Sequence, residues 1–188
     1  MIRVWKFLLD QNFPGPVVEV AAVDRTITYE PLTRFDASLT KRQTPDWVIY
    51  LTAARSGRFD GMVTRDRSQL DQIEELVALA DTGLSVVTWQ KPVEDSIQEW
   101  GQLLAYMPLV TRRLGALEHE QGHFAGHAFF LPRPALGASN VFTIEDALGQ
   151  EASRQGRAIQ DLKAQARREM REELRRRHLS RLDDQLGE

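Results

Sequence analysis

The chain has 188 residues, 42% hydrophobic and 27% charged, with a net charge of -3 and no cysteine. That length suits one domain of ordinary size plus an appendage. The charge balance excludes a global nucleic-acid signature, so any such binding is local. The lack of cysteine excludes a disulfide framework, a thiolate zinc site and a cysteine nucleophile, and it fits a reducing cytosol. The apolar run in MIRVWKFLLDQN is far too short to span a membrane. Its Asp and Asn fall where a signal peptide would still be apolar, so a cytoplasmic protein with no membrane partner is expected.

Residues 3–9, RVWKFLL, predict a buried strand that ends at Asp10. Turn chemistry follows over 10–16, and Pro16 suits the start of a short helix over 17–23. Residues 26–29, TITY, alternate as a strand, and 30–43 reads as irregular. Thr44-Pro45-Asp46 is a helix start, with Thr44 as N-cap, proline at the first position and an acid facing the dipole. Trp47, Val48, Tyr50, Leu51 and Ala54 form its apolar stripe and Gly57 stops it. A strand over 61–64, a helix over 66–80 closed by Gly83, and a strand over 84–89 come next. Residues 93–117 predict a long helix with a kink or break at Pro108. Strands alternating with helices argue an α/β domain with a largely parallel sheet.

Beyond Leu117 the character changes. EHEQGHFAGHA reads as a polar loop, Phe129 to Leu131 before Pro132 as an edge strand, and 136–140 as a loop. From Thr143 a helical tail begins, with Thr143 and Asp146 as a capping box. Its narrow apolar stripe runs from Ala158 through Leu162, Ala166, Met170 and Leu174 to Leu186, amid arginines and acids. These features divide the chain into an α/β unit over 1–135 and a charged, mostly helical extension over 136–188. No internal repeat is present.

Three carboxylates share one edge of the expected sheet. Asp10 and Asp66 each follow a strand, where ligands collect in parallel sheets. Asp46 begins a helix, whose N-terminus lies at that same edge. Hard cations such as Mg²⁺ or Mn²⁺ take oxygen ligands, and such a site activates water and neutralises charge on a phosphodiester. Each acid also has a plain structural reading: Asp10 bonding its own turn, Asp46 as a first-turn acid, and Asp66 as an N-cap with Gln69 completing a capping box. Thr64 is placed to orient an acid or contact phosphate. Arg65 and Arg67 flank Asp66 as substrate-phosphate contacts or as a solvated loop.

Two other features carry chemistry. His119-Glu120-Gln121-Gly122-His123 is a formal HExxH, the pattern of a zinc peptidase, with His127 as a conceivable third ligand. Gly122 and Gly126 weaken the helix that must present it, and solvated loop histidines are the competing reading. The tail reads as a packing or self-association helix, which would make a homo-oligomer, or as an RNA-gripping helix; its interspersed acids favour the former.

KFLLDQN followed by Phe-Pro, and PDWVIYLTAARSGRFDGMVTRD, resemble the signature pieces of the PIN-like domain superfamily over about Met1 to Leu117. Asp10 matches the acid that ends strand one, Asp46 the helix-start acid, and Thr64-Arg65-Asp66 the Thr-x-Asp element. Asp10 with Asn12 resembles the shorter PIN-like branch. The resemblance implies a three-layer α/β/α sandwich and metal-dependent cleavage of RNA with Asp10, Asp46 and Asp66 as Mg²⁺ or Mn²⁺ ligands and Asn12 and Thr64 in support. It further implies a toxin–antitoxin or stress setting, with an antitoxin as protein partner. Many members carry a further acid between the first two, for which Asp24, Glu30 and Asp36 are candidates without a convincing motif. The alternative is a non-catalytic PIN-like module that binds RNA or protein, with its C-terminal helix as an arm.

Overall fold

The computed structural model describes residues 3–11, 13, 25–41, 43–91, 93, 95–121, 126–132 and 142–187. The expected helix over 17–23 and the loop over 136–140 lie outside them. Among the described residues the fold is mixed α/β. Six strands form one sheet: β1 (Trp5–Leu9), β2 (Ile27–Pro31), β3 (Gly61–Val63), β4 (Ser85–Trp89), β5 (His127–Leu131) and β6 (Phe142–Thr143). Their order is β2-β1-β3-β4-β5-β6. All neighbours are parallel except β5 and β6. Six α-helices accompany them: α1 (Leu32–Phe35), α2 (Asp46–Ser56), α3 (Ile73–Thr82), α4 (Ser96–Gln121), α5 (Ile144–Gln155) and α6 (Ile159–Arg176).

The two-residue period of the strands sorts their side chains into two apolar clusters. Leu8, Met62, Val86 and Ala128 join one, with α2, α3, α5 and α6. Phe7, Leu9, Val63, Val87 and Phe129 join the other, with Trp100, Leu103, Met107, Val110 and Leu114 of α4. Each fully buried aliphatic or aromatic side chain contributes about 1.5–3 kcal/mol. The β1–β3–β4 contact requires a glycine at position 61, where a Cβ would sit 2.4 Å from the Ser85 carbonyl oxygen. Leu9 and Val63 are in register, so β1 and β3 end side by side.

Several boundaries differ from the expectation. Residues 30–43 contain α1 and a 3-10 turn, Ala37–Thr40, capped by Asp36. Thr44 does not cap α2: Pro45 holds the N-cap position and no side chain bonds there. Gly57 does end α2, with φ 63°. The helix expected from Asp66 starts at Ile73. Asp66 instead caps a separate 3-10 turn, Arg67–Leu70, by accepting bonds from the Ser68 N–H and hydroxyl. α4 runs through Pro108 and on to Gln121, buried on either side of the proline at Met107 and Val110. β5 is not an edge strand, because β6 pairs antiparallel beyond it.

The tail begins as expected, with Thr143 and Asp146 forming a reciprocal capping box. Leu162, Ala166, Met170 and Leu174 of α6, with Leu182 and Leu186, are buried in the same cluster as Tyr50, Leu51 and Val77. The apolar stripe is therefore covered by its own chain. Among the described residues, no helix is long and apolar enough to cross a membrane.

Candidate functional site

Asp10 directly follows β1. Its N–H donates to the Val63 carbonyl at 3.0 Å, tying the ends of β1 and β3 together. The side chain is only 3% exposed. Oδ1 accepts from the Gln11 N–H at 2.6 Å and Oδ2 from the Thr64 hydroxyl at 3.1 Å. Asp10 also lines a cavity of about 220 Å³ with Gln11, Phe13, Pro31 and Leu32.

Thr64 is fully buried where β3 ends, held by its N–H to the Val87 carbonyl. While its hydroxyl donates to Asp10, the same oxygen accepts from the Asp66 N–H at 3.0 Å. One hydroxyl thus couples the first acid to the backbone of the third. Asp66 is exposed, and its Oδ1 serves the Ser68 turn.

Asp46 is the first residue of α2. Burial raises its pKa most, to about 6, with Asp10 and then Asp66 adding repulsion; only a hydrogen bond from the Gln69 side chain opposes the rise. Gln69 is 2% exposed and its Oε1 accepts from the Tyr50 hydroxyl at 2.5 Å. That contact is why Gln69 does not complete a capping box with Asp66: a buried phenol from α2 has claimed it. Tyr50 is fully buried, and its pKa is pushed well above the usual value by burial, then by Glu75, Asp46, Asp10 and Asp66. Asp10 and Asp66 therefore both act on Asp46, and all three act on Tyr50.

Glu75, in the first turn of α3, was not among the expected residues. It is buried, and among the described residues its Oε2 has no hydrogen-bond partner. Burial drives its pKa up to about 9, followed by repulsion from Asp46, Asp66 and Glu74, with no cation opposing. Leu79 is fully buried, and Glu75, one helical turn before it, shares that face.

The other candidates separate from this group. Arg65 pairs with the buried Glu99 at 2.9 Å and donates to the Val93 carbonyl, so it fastens the start of α4. Burial still leaves the Glu99 pKa raised, against the lowering effect of Arg65. Arg67 donates to the Gln90 carbonyl and lies 5.5 Å from the Phe130 ring centroid. Asn12, Asp24 and His123 lie outside the described residues. Glu30 pairs with Arg58, and Asp36 caps its own turn, so both have local roles. His119 is exposed at the end of α4, Glu120 pairs with Arg113 at 3.4 Å, and His127 is buried in β5 against Phe129.

The donor set is of the hard-oxygen kind, the carboxylates of Asp10, Asp46 and Asp66 and the hydroxyl of Thr64. Among the described residues, no group of three or more His, Asp or Glu is arranged to hold a metal ion. The repulsion that Asp46 feels from Asp10 and from Asp66 places it near both nonetheless. The two observations agree if the acids neighbour one another without forming a closed shell, since Mg²⁺ is usually held by one or two carboxylates and water. No family model matches the chain, and no curated protein or solved structure matches it significantly.

Proposed function

We propose that the chain is a PIN-like, Mg²⁺- or Mn²⁺-dependent endoribonuclease with a three-layer α/β/α sandwich over 1–135 and an extension over 136–188 packed back on it. The observation that carries this reading is the Thr64 hydroxyl joining Asp10 to Asp66 at the paired ends of β1 and β3, with Asp46 raised to about 6 beside them. In this reading Asp10 and Asp46 are the ligands nearest the cation and Asp66 completes the acidic edge. When bound there, a divalent cation supplies charge neutralisation at a phosphodiester and activation of a water. Thr64 keeps the Asp10 carboxylate oriented. Asp46, titrating near neutrality, is placed to accept or release a proton at its carboxylate. The cavity beside Asp10 gives room for a substrate group.

RNA is the proposed substrate, and a toxin–antitoxin setting rests on the sequence resemblance alone. The second reading is a non-catalytic module that binds RNA or protein. It is favoured by Asp66, which spends Oδ1 on its own turn rather than facing an open site. With the apolar face of α6 covered, a partner or a second copy would meet its arginine-rich outer face.

The test is cleavage of single-stranded RNA with Mn²⁺ and with EDTA, beside Asp10→Asn and Asp46→Asn. Cleavage that requires Mn²⁺ and is lost in both variants supports the ribonuclease. Cleavage surviving both substitutions assigns the activity elsewhere, and absence of cleavage in the parent protein favours the binding module.

A further inference from the structure

The 67–70 turn, whose Gln69 faces Tyr50, also contributes Arg67 and Leu70 to a second cavity of about 350 Å³. Phe130 of β5 and Phe142 of β6 line it, both partly buried, with ring centroids 5.8 Å apart at 67°. The Arg67 guanidinium lies against Phe130 and is steadied by the Gln90 carbonyl. Asp71, Glu151 and Arg154 supply the rest of the charge, and Glu151 holds Arg154 at 2.8 Å.

Two cations and two acids cancel. A phosphate would meet as much repulsion as attraction here, whereas an uncharged heterocycle would find an aromatic edge, a guanidinium plane and both donors and acceptors. The volume lies at the lower end of small-ligand sites, room for one such group. Arg67 directly follows Asp66, and Leu70 and Asp71 at the end of the same turn also line the cavity, so it adjoins the acidic edge along the chain.

The geometry points to a base-recognition subsite for single-stranded RNA in this cavity, formed by Phe130, Phe142, Arg67 and Arg154. It rests on the ribonuclease reading for the choice of RNA. Arg67 then contacts a base rather than the phosphate expected from the sequence.

Fluorescence anisotropy with labelled hexaribonucleotides of A, G, C and U, in EDTA, tests the subsite without cation or cleavage. One homopolymer should bind about tenfold more tightly than the weakest, because the donors and acceptors of Arg67, Asp71, Glu151 and Arg154 match one base edge best while the rings hold its face. Phe130→Leu keeps apolar bulk but removes the ring, and Arg154→Ala alters an exposed helix position. Each should reduce that preference to about twofold. Equal binding of all four, or a preference untouched by both variants, overturns the subsite. Mn²⁺-dependent cleavage without any base preference removes the subsite and leaves the ribonuclease. A preference lost in the variants without cleavage supports the subsite and removes the ribonuclease.

Discussion

Helix α3 carries two buried carboxylates, one at each end, and they are treated in opposite ways. Asp81, in the last turn, accepts from Arg167 Nε at 2.9 Å and Nη2 at 2.6 Å, and from the Gly187 N–H at 2.9 Å. Glu75, in the first turn, has an orphaned Oε2 and three acids raising its pKa. The Asp81–Arg167 pair is a structural clamp. It fixes α6 and the chain end onto the α/β unit, and its planar, two-pronged geometry offsets the cost of burying both charges. Nothing comparable offsets Glu75. A chain that can build a compensated buried acid in one turn of a helix leaves another uncompensated at the end nearest Asp46 and Tyr50. Perturbed groups gathered at one edge are the physical mark of a functional site.

Breaking the clamp should give the largest loss of stability. Asp81→Ala removes two charge-assisted bonds from Arg167 and one from the Gly187 N–H and should cost about 3–5 kcal/mol in urea denaturation. Replacing Asp81 and Arg167 together by apolar residues should recover much of that loss. The same experiment at Glu75 should have the opposite sign. Glu75 is neutral in the fold below about 9 but ionises from its ordinary value of 4.5 once unfolded. The folded state therefore holds more protons between those limits, and wild-type stability falls as pH rises through that window. Glu75→Gln removes the proton difference. Its stability should match wild type near pH 4 and exceed it increasingly towards pH 9, by at most about 1.4 kcal/mol per pH unit. A glutamine variant less stable than wild type at pH 8 would mean that the carboxyl makes a favourable buried contact.

A smaller effect should come from Thr64→Val, which keeps shape and loses the bridge. Leaving the Asp66 N–H and an Asp10 oxygen without that partner should cost about 1–3 kcal/mol by thermal or chemical unfolding. On the ribonuclease reading it should also weaken Mn²⁺ affinity about 10–100-fold, as loss of a ligand-orienting group does elsewhere. Loss of stability with unchanged Mn²⁺ affinity would make Thr64 a structural residue alone and bring the acidic edge closer in kind to the clamp.

The contrast also explains what the sequence could and could not reveal. Asp10 and Thr64 were legible because each ends a short apolar run, and two strands that end in register bring their next residues side by side. Asp46 was legible as a helix-start acid, although the cap came from Pro45 rather than Thr44. The turn at 67–70 was not legible, because Gln69 is drawn inward by Tyr50, nineteen residues earlier, and local capping patterns cannot register that competition. Glu75 was missed because a helix expected from Asp66 leaves Glu74-Glu75 as a mid-helix polar pair; the start at Ile73 and the burial of Leu79 put it inside. The interior position of β5 depends on a two-residue partner, β6, too short to announce itself. Pro108 does not break its helix, which is carried past it by Met107 and Val110 against the sheet. In each case tertiary packing decided what local preference left open.

On the ribonuclease reading Asp10 and Asp46 hold a divalent cation, and calorimetric titration of the intact chain with Mn²⁺ tests it most directly. Binding should be measurable at pH 7.5. It should weaken at pH 5, below the value of about 6 at which Asp46 takes up its proton, and be lost in Asp10→Asn with the fold retained. No binding at pH 7.5, or binding unchanged by both the lower pH and Asp10→Asn, would contradict it.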